Sequence, residues 1–295
     1  MIILKITVGI PAYNEEKNIA PIIQKLHSIV DQIIVCNDGS SDNTGKIAEK
    51  MGVVTINHER NMGYGEAIRS IFQKARELES DVLLTMDSDG QHMIEDVLPV
   101  VDPIIKNKSD IVIGSRFLEG NQENIPKYRK TGIKIITKLA NVSLDEKITD
   151  SQSGFRAYSK NVLSKINPSE HGMGISNEIL IKASKLGFKI AEVPITVSYE
   201  GDTSTQNPIS HGASVTLSTL KFISIDHPLK FYGIPGIIFL TLGIFFTIWT
   251  LQLFSETREI VTNIALISVG CLVFGVMLIM SAIMLFSLVT VVREK

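Results

Sequence analysis

Two aspartates one residue apart, Asp87-Ser88-Asp89, are the first feature of this chain that could do chemistry. They follow an apolar run, Asp81–Met86, that reads as a β-strand. Residues i and i+2 share a face of a strand, so the two carboxylates can point the same way. Like charges side by side are unfavourable unless a cation compensates them. Mg2+ and Mn2+ take oxygen ligands and are commonly shared between carboxylates and substrate phosphates. Gln91 would complete such a shell through its amide oxygen. The cation would bridge a diphosphate and stabilise charge developing on the departing phosphate. Taken alone, the triplet reads more readily as an acidic turn in solvent.

The elements that must position these groups recur in a regular order. Apolar, β-rich runs at Lys5–Ile10, Gln32–Asn37, Val53–Asn57, Asp81–Met86 and Asp110–Ser115 alternate with amphipathic stretches near Glu15–Val30, Asp42–Met51, Gly65–Leu78 and Ile94–Lys106. The strands are continuous apolar runs, as expected where both faces of a sheet are covered. Repeated β-α units predict an α/β fold with a doubly wound, mostly parallel sheet, which binds ligands at the carboxyl ends of its strands. Polar clusters follow the strands directly: Pro11-Ala12-Tyr13-Asn14-Glu15, Asp38-Gly39-Ser40-Ser41-Asp42, Asp87 to His92, and Arg116. Any one of these is an ordinary turn; together they converge on one edge. Asp38 is placed to accept hydrogen bonds from a base or ribose. Asp42 is placed to cap the next helix, a role worth about 1 kcal/mol. Arg116, directly after a strand, suits bidentate phosphate binding. Beyond Pro126 the pattern predicts helices at Ile133–Val142 and Asn177–Leu186 and a strand at Ile190–Val197.

Composition divides the chain sharply. Its 295 residues carry a net charge of −2, which leaves no basic field for nucleic acid. Phe231–Phe254 holds no charged residue in 24 positions, and Asn263–Val292 none in 30. About 20 apolar residues suffice to cross a bilayer as a helix. The alternative, a buried core helix, has to be invoked twice in succession. The expected organisation is therefore a large domain over 1–210, an amphipathic interface segment over 211–229 and a two-helix transmembrane anchor over 230–295. Met1–Ile10 reads as a strand, not an export signal, because Lys5 interrupts it and no cleavage site precedes Pro11. The large domain is expected in the cytoplasm. Lys221, Lys230, Arg293 and Lys295 flank the spans on that side, and the connector Ser255–Thr262 has only Arg258. Cys36 and Cys271 both lie in apolar runs and read as buried thiols.

Five ordered motifs make the sequence resemble glycosyltransferase family 2, the GT-A fold. They are Pro11-Ala12-Tyr13-Asn14-Glu15-Glu16, Asn37-Asp38-Gly39-Ser40-Ser41-Asp42, Asp87-Ser88-Asp89-Gly90-Gln91-His92, Gly114-Ser115-Arg116 and Gln152-Ser153-Gly154-Phe155-Arg156-Ala157. The last two, with the C-terminal spans, are similar to the branch that loads sugars onto dolichyl or polyprenyl phosphate. The resemblance implies that Pro11, Tyr13, Glu15, Asp38 and Asp87 line the nucleotide-sugar pocket. It implies that Asp87, Asp89 and Gln91 hold Mg2+ or Mn2+, and that Arg116 and Arg129 meet phosphates of donor or acceptor, with Asp89, Arg116 and Arg129 at the centre of catalysis. The implied partners are a UDP- or GDP-sugar, a dolichyl phosphate and the bilayer. Arg156 is assigned to buttressing the Ser153–Ala157 turn. Two departures stand out: Asn37-Asp38 replaces a pair of acids, and Glu200-Gly201-Asp202 stands where a base is usual after Tyr199. His211 is a candidate for the missing base.

The implied reaction is single-sugar transfer with inversion. A phosphate acceptor is already a nucleophile at neutral pH and needs positioning more than deprotonation. Glu178 is the fallback base. The alternatives are a processive polysaccharide synthase and a non-catalytic nucleotide-sugar sensor. The first wants an acceptor-chain tryptophan motif, whereas Trp249 lies inside a span. The second has no need of an intact Asp87-x-Asp89. A nucleotidyltransferase would want a glycine-rich loop after the first strand, which Pro11–Glu16 is not. Asn141-Val142-Ser143 is a glycosylation sequon that a cytoplasmic location leaves unmodified.

Overall fold

The computed structural model describes residues 4–118, 127–197, 216–217, 220–221, 223–225 and 227–293. The chain divides into two compact units, Met1–Thr219 and Leu220–Lys295.

The first unit is built on a seven-stranded sheet of order β3-β2-β1-β4-β6-β5-β7. Its strands are β1 (Ile6–Ala12), β2 (Gln32–Asn37), β3 (Val54–Asn57), β4 (Val82–Thr85), β5 (Ile111–Ser115), β6 (Arg156–Ser159) and β7 (Ile190–Pro194). Neighbours pair in parallel except β6, which runs antiparallel between β4 and β5. The helices are α1 (Ile19–Leu26), α2 (Thr44–Lys50), α3 (Tyr64–Glu77), α4 (Val97–Ile105), α5 (Lys127–Ala140), α6 (Lys160–Lys165) and α7 (Ile175–Lys185).

Burial explains the pattern. Six of the seven residues of β1 are buried, so both faces of the sheet are covered. Helix α3 buries Ala67, Ile68, Ile71, Phe72 and Ala75, the three-to-four-residue spacing of one helical face. Ile71 packs where a side chain on Gly9 of β1 would stand, so a glycine in mid-strand lets the helix approach.

The chain leaves β1 outward to β2 and β3 on one side and returns to β4 on the other. The carboxyl ends of β1 and β4 therefore flank a topological switch point, the usual ligand crevice of an open α/β sheet. Because β6 is antiparallel, its start lies at that same edge, with Arg156 opposite Thr85.

The expected strands and helices are all present, with shifted ends. Pro11 and Ala12, expected in a loop, are the last buried residues of β1. Two elements escaped the sequence pattern: β6, where a turn was expected to extend to Ala157, and the short α6. The expected interface segment lies largely outside the described residues.

The second unit pairs α8 (Ile234–Thr257), entered through a π-type turn at Leu229–Gly233, with α9 (Thr262–Arg293). Glycines let the two approach: a Cβ on Gly243 would stand 2.8 Å from Leu272, and one on Gly236 2.8 Å from Ile279. The Thr247 and Ser268 hydroxyls meet at 2.6 Å, and Ser268 also donates to the Gly243 carbonyl. Only 6% and 11% of the two apolar stretches is buried, whereas a core helix would be mostly buried. Both helices are candidate membrane spans.

Candidate active site

Four strand ends and one strand start build the site. The loops after β1 and β2 are stapled to each other. Asn14, in the left-handed region at φ 57°, accepts from the Ser41 amide at 2.9 Å through its side chain. Its own N–H donates to Ser40 Oγ at 3.0 Å. Asp42 accepts from the Glu16 amide at 3.1 Å and from the Thr44 amide at 3.0 Å. The N-cap of α2 is Asn43, so Asp42 stands one residue before the capping position expected of it and takes the first helical amide from there. Pro11 is buried in β1, while Tyr13 at the strand end is exposed.

Glu15 sits between the two loops and the acidic turn. Burial raises its carboxyl above the ordinary range. A hydrogen bond from Asn18 opposes that shift, and the negative charges of Asp89 and Asp42 add to it. Glu15 and Asp89 thus share one electrostatic environment, as their placement on a common edge predicts.

The acidic turn follows β4. Asp87 remains 35% accessible while its surroundings are closed in. Burial works against its charge, but His92, Arg116 and the Tyr64 hydroxyl together outweigh that and hold the carboxyl below its ordinary range. His92 Nε2 lies 3.4 Å from the Asp87 carboxylate, and its ring stacks on Phe155 at 4.8 Å. Gly154 leaves room for this carboxylate. A Cβ at that position would stand 2.6 Å from both Asp87 carboxylate oxygens. Asp89 accepts the Gln91 amide at 3.0 Å.

The donor set fits a hard divalent cation. Asp87 is partly accessible with its carboxyl held below the ordinary range, Asp89 is half-buried two residues on, and Gln91 follows two residues later. Among the described residues no group of three His, Cys, Asp or Glu side chains gathers to enclose a metal. Two carboxylates with remaining positions left to phosphate and water is the arrangement expected for Mg2+ or Mn2+.

Arg116 is placed at the predicted edge, and its charge is felt at Asp87. Its Nε and Nη2 reach Asp150 at 2.7 and 2.8 Å in a bidentate fork, and its backbone N–H donates to the same carboxylate. Asp150 is fully buried. Burial pushes its carboxyl up, but the Arg116 charge and hydrogen bonds bring it net below the ordinary range. Sequence reasoning missed Asp150, although an acid just before the Ser153-Gly154-Phe155 motif was a usable signal. Glu192 of β7 accepts the amides of Thr149 and Asp150 at 2.8 and 3.0 Å and steadies this turn.

Two other expectations change. Asp38 is only 4% exposed. Its carboxylate accepts from His58 Nδ1 at 2.7 Å and from the amides of Met62 and Gly63 at 2.9 and 2.8 Å. It therefore shapes the 58–63 loop in addition to any ligand it meets. Glu178 is no base. It is fully buried, accepts the amides of Ser169 and Glu170 and pairs with Lys182. Burial raises its carboxyl, but these partners hold it net below the ordinary range, so it has little affinity for a proton.

The remaining assignments fall as follows. Arg156 is 1% exposed and donates to the carbonyls of Ser151, Ser153 and Ser176, which makes it the buttress predicted from sequence. The Arg129 backbone lies in α5, its side chain outside the described residues, as are Tyr199, Glu200 and His211. Asn141 of the sequon exchanges two hydrogen bonds with the Ile148 backbone. The Cys36 thiol is buried and its pKa is pushed up to about 12 by burial, so it is unreactive.

The site is thus an acidic turn at the switch point of a doubly wound sheet, with an arginine whose charge reaches that turn. Residues 7–166 match the family described as glycosyl transferase family 2, and the chain belongs to that family. It is 34% identical, over 70% of its own length and 89% of the relative's, to the UDP-N-acetylglucosamine–dolichyl-phosphate N-acetylglucosaminyltransferase of Methanococcus voltae. It is 33% identical, over 71% of its length and 90% of the relative's, to the dolichyl-phosphate hexose transferase of Haloferax volcanii. Among solved structures, glucosyl-3-phosphoglycerate synthase from Mycobacterium tuberculosis, in complex with Mn2+ and UDP-glucose, superposes with a TM-score of 0.58. That match has 23% identity and covers 75% of this chain and 78% of that one. At that identity the likeness concerns the fold.

Proposed function

We propose that this protein transfers one hexose or N-acetylhexosamine from a nucleotide-sugar to dolichyl or another polyprenyl phosphate, with inversion at the anomeric carbon. The observation that carries the reading is the partly accessible Asp87 at the switch point, its carboxyl held below the ordinary range by His92, Arg116 and Tyr64, with Asp89 two residues on. The two dolichyl-phosphate transferases above support the acceptor class, and the candidate spans supply a means of meeting a lipid substrate.

Asp87, Asp89 and Gln91 would hold Mg2+ or Mn2+, which would neutralise charge on the leaving diphosphate. The chain's own groups do the rest. His92, Tyr64 and Gly154 fix the Asp87 carboxylate in place. Asp150 takes the Nε and Nη2 fork of Arg116, so the bidentate phosphate grip expected from sequence is already occupied, and Arg116 would act on a phosphate at the acidic turn through its charge. Glu15 and Tyr13 border the same edge and would meet the nucleotide.

Neither Asp150 nor Glu178 is placed to serve as a base. Asp150 and Glu178 are both buried, fully engaged and held below the ordinary range. That suits an acceptor phosphate, which attacks without losing a proton. Basic residues Lys221, Lys230 and Arg293 flank the spans, with Arg258 alone between them, so we assign the catalytic unit to the cytoplasmic side. We also keep the division into a 1–210 catalytic domain, a 211–229 interface segment and a 230–295 anchor. Transfer of labelled sugar to dolichyl phosphate by the purified protein tests the proposal; nucleotide binding without any lipid product would overturn it.

A further inference from the structure

One cluster at the nucleotide edge has no part in the mechanism above. His58, just beyond β3, is nearly enclosed, with 9% of its side chain accessible. Its Nδ1 donates to Asp38 at 2.7 Å. Its Nε2 lies 2.9 Å from Ser70 Oγ on α3 and 3.6 Å from Cys36 Sγ on β2. With Nδ1 carrying the proton, Nε2 accepts from the Ser70 hydroxyl, so both ring nitrogens are satisfied. Three elements are thus tied through one imidazole.

The tie reaches further through Asp38, whose other acceptor positions take the amides of Met62 and Gly63. Gly39, at φ +66°, lets the Arg60–Asn61 backbone lie directly against the β2 turn; a Cβ there would collide with it. The 58–63 loop is therefore wrapped around one buried carboxylate and ends at Tyr64. The Tyr64 side chain in turn hydrogen-bonds Asp87. A continuous path runs from Ser70 and His58 through Asp38 and the loop to the acidic turn.

We propose that His58 is a positioning residue for the donor site: it fixes Asp38 and the 58–63 loop in the shape that receives the nucleotide. This deepens the proposed function and rests on the nucleotide-sugar reading of the site. Without the imidazole, the Asp38 carboxylate keeps its two backbone donors but loses its side-chain anchor, and the loop loses its link to α3. The effect falls on donor binding.

The test compares wild type with His58→Ala, His58→Asn and Ser70→Ala. Calorimetry reads UDP and GDP binding, kinetics read KM for donor and acceptor separately, and melting temperature reads the fold. Losing a hydrogen bond to a charged group corresponds to a weakening of about tenfold or more. His58→Ala is expected to weaken nucleotide binding and raise donor KM by about that factor, with acceptor KM and saturated kcat nearly unchanged. His58→Asn retains a donor toward Asp38 and is expected to restore most of the affinity. Ser70→Ala, which leaves the Asp38 bond intact, is expected to cost about threefold, a fraction of one such bond. If His58→Ala does not fold, the other two variants decide. Unchanged nucleotide affinity in the folded variants, or equal rises in donor and acceptor KM, would overturn the proposal. Failure of wild type to bind either nucleotide would instead overturn the nucleotide-sugar reading itself.

Discussion

Replacing Gly154 by alanine adds one methyl group at the most sensitive point of the site. The new Cβ would stand 2.6 Å from both Asp87 carboxylate oxygens and 2.9 Å from its Cγ. Ordinary van der Waals contact begins near 3.4 Å, so the carboxylate or the 153–155 turn must move by about 0.8 Å. The turn has little freedom, because Thr85 Oγ1 donates to the Gly154 carbonyl at 2.8 Å and Phe155 is fully buried under His92. The carboxylate therefore yields, away from its bonds to His92 and Tyr64. A displacement near 1 Å at a reacting centre costs about 100-fold in rate. Strain of this kind in packed surroundings costs about 1–3 kcal/mol, and the accessibility of Asp87 places the cost toward the lower end. The assay measures kcat/KM for sugar transfer across a series of Mg2+ or Mn2+ concentrations, alongside thermal melting. The expected result is transfer reduced about 100-fold, a raised metal requirement and a fold that still melts cooperatively. Full activity in Gly154→Ala, or a loss that merely follows the melting temperature, would refute the assignment of Asp87.

Other substitutions separate the roles of the remaining groups. Asp89→Asn is expected to abolish most transfer while melting changes little; unchanged turnover would remove Asp89 from the metal site. Asp150→Asn breaks a buried fork, and denaturation at pH 7 is expected to show a loss of about 3–5 kcal/mol. The folded Asp150 carboxyl lies below its unfolded value of about 4, so its stabilisation is full above that pH and fades as pH falls through the lower folded value. The gap between Asp150→Asn and wild type should accordingly narrow below about pH 4, and a gap independent of pH would contradict the pairing. Arg116→Ala strands the same buried carboxylate. Stability is therefore expected to fall along with transfer. Glu178→Gln is expected to lower stability by about 1–3 kcal/mol and leave saturated kcat nearly intact; a large loss of kcat with native melting would restore Glu178 as a base.

The course of the chain was legible where the physics is local. Continuous apolar strands, amphipathic helices and polar strand ends placed Asp87, Asp89, Glu15 and Arg116 on one edge before any coordinates. The two candidate spans were visible from the absence of charge alone. Strand β6 was not, because its four residues, Arg156–Ser159, include an arginine whose burial depends on three carbonyls from other loops. Asp150, His58 and Tyr64 were missed for a related reason. Each acts through a partner distant in sequence, 34 residues away for Asp150 and Arg116. Asp38 and Glu178 carried the right residue type for ligand or base chemistry, yet their surroundings engage them with their own chain. Spacing reveals which groups share an edge but not which of them the fold has already partnered.

The central claim is tested most directly by presenting the purified protein, in detergent with Mg2+ or Mn2+, with dolichyl phosphate and each of radiolabelled UDP-glucose, UDP-N-acetylglucosamine and GDP-mannose. One donor is expected to give a labelled, mild-acid-labile lipid that disappears with chelator and in Asp89→Asn. A folded protein that binds nucleotide but labels no lipid from any of the three would contradict it.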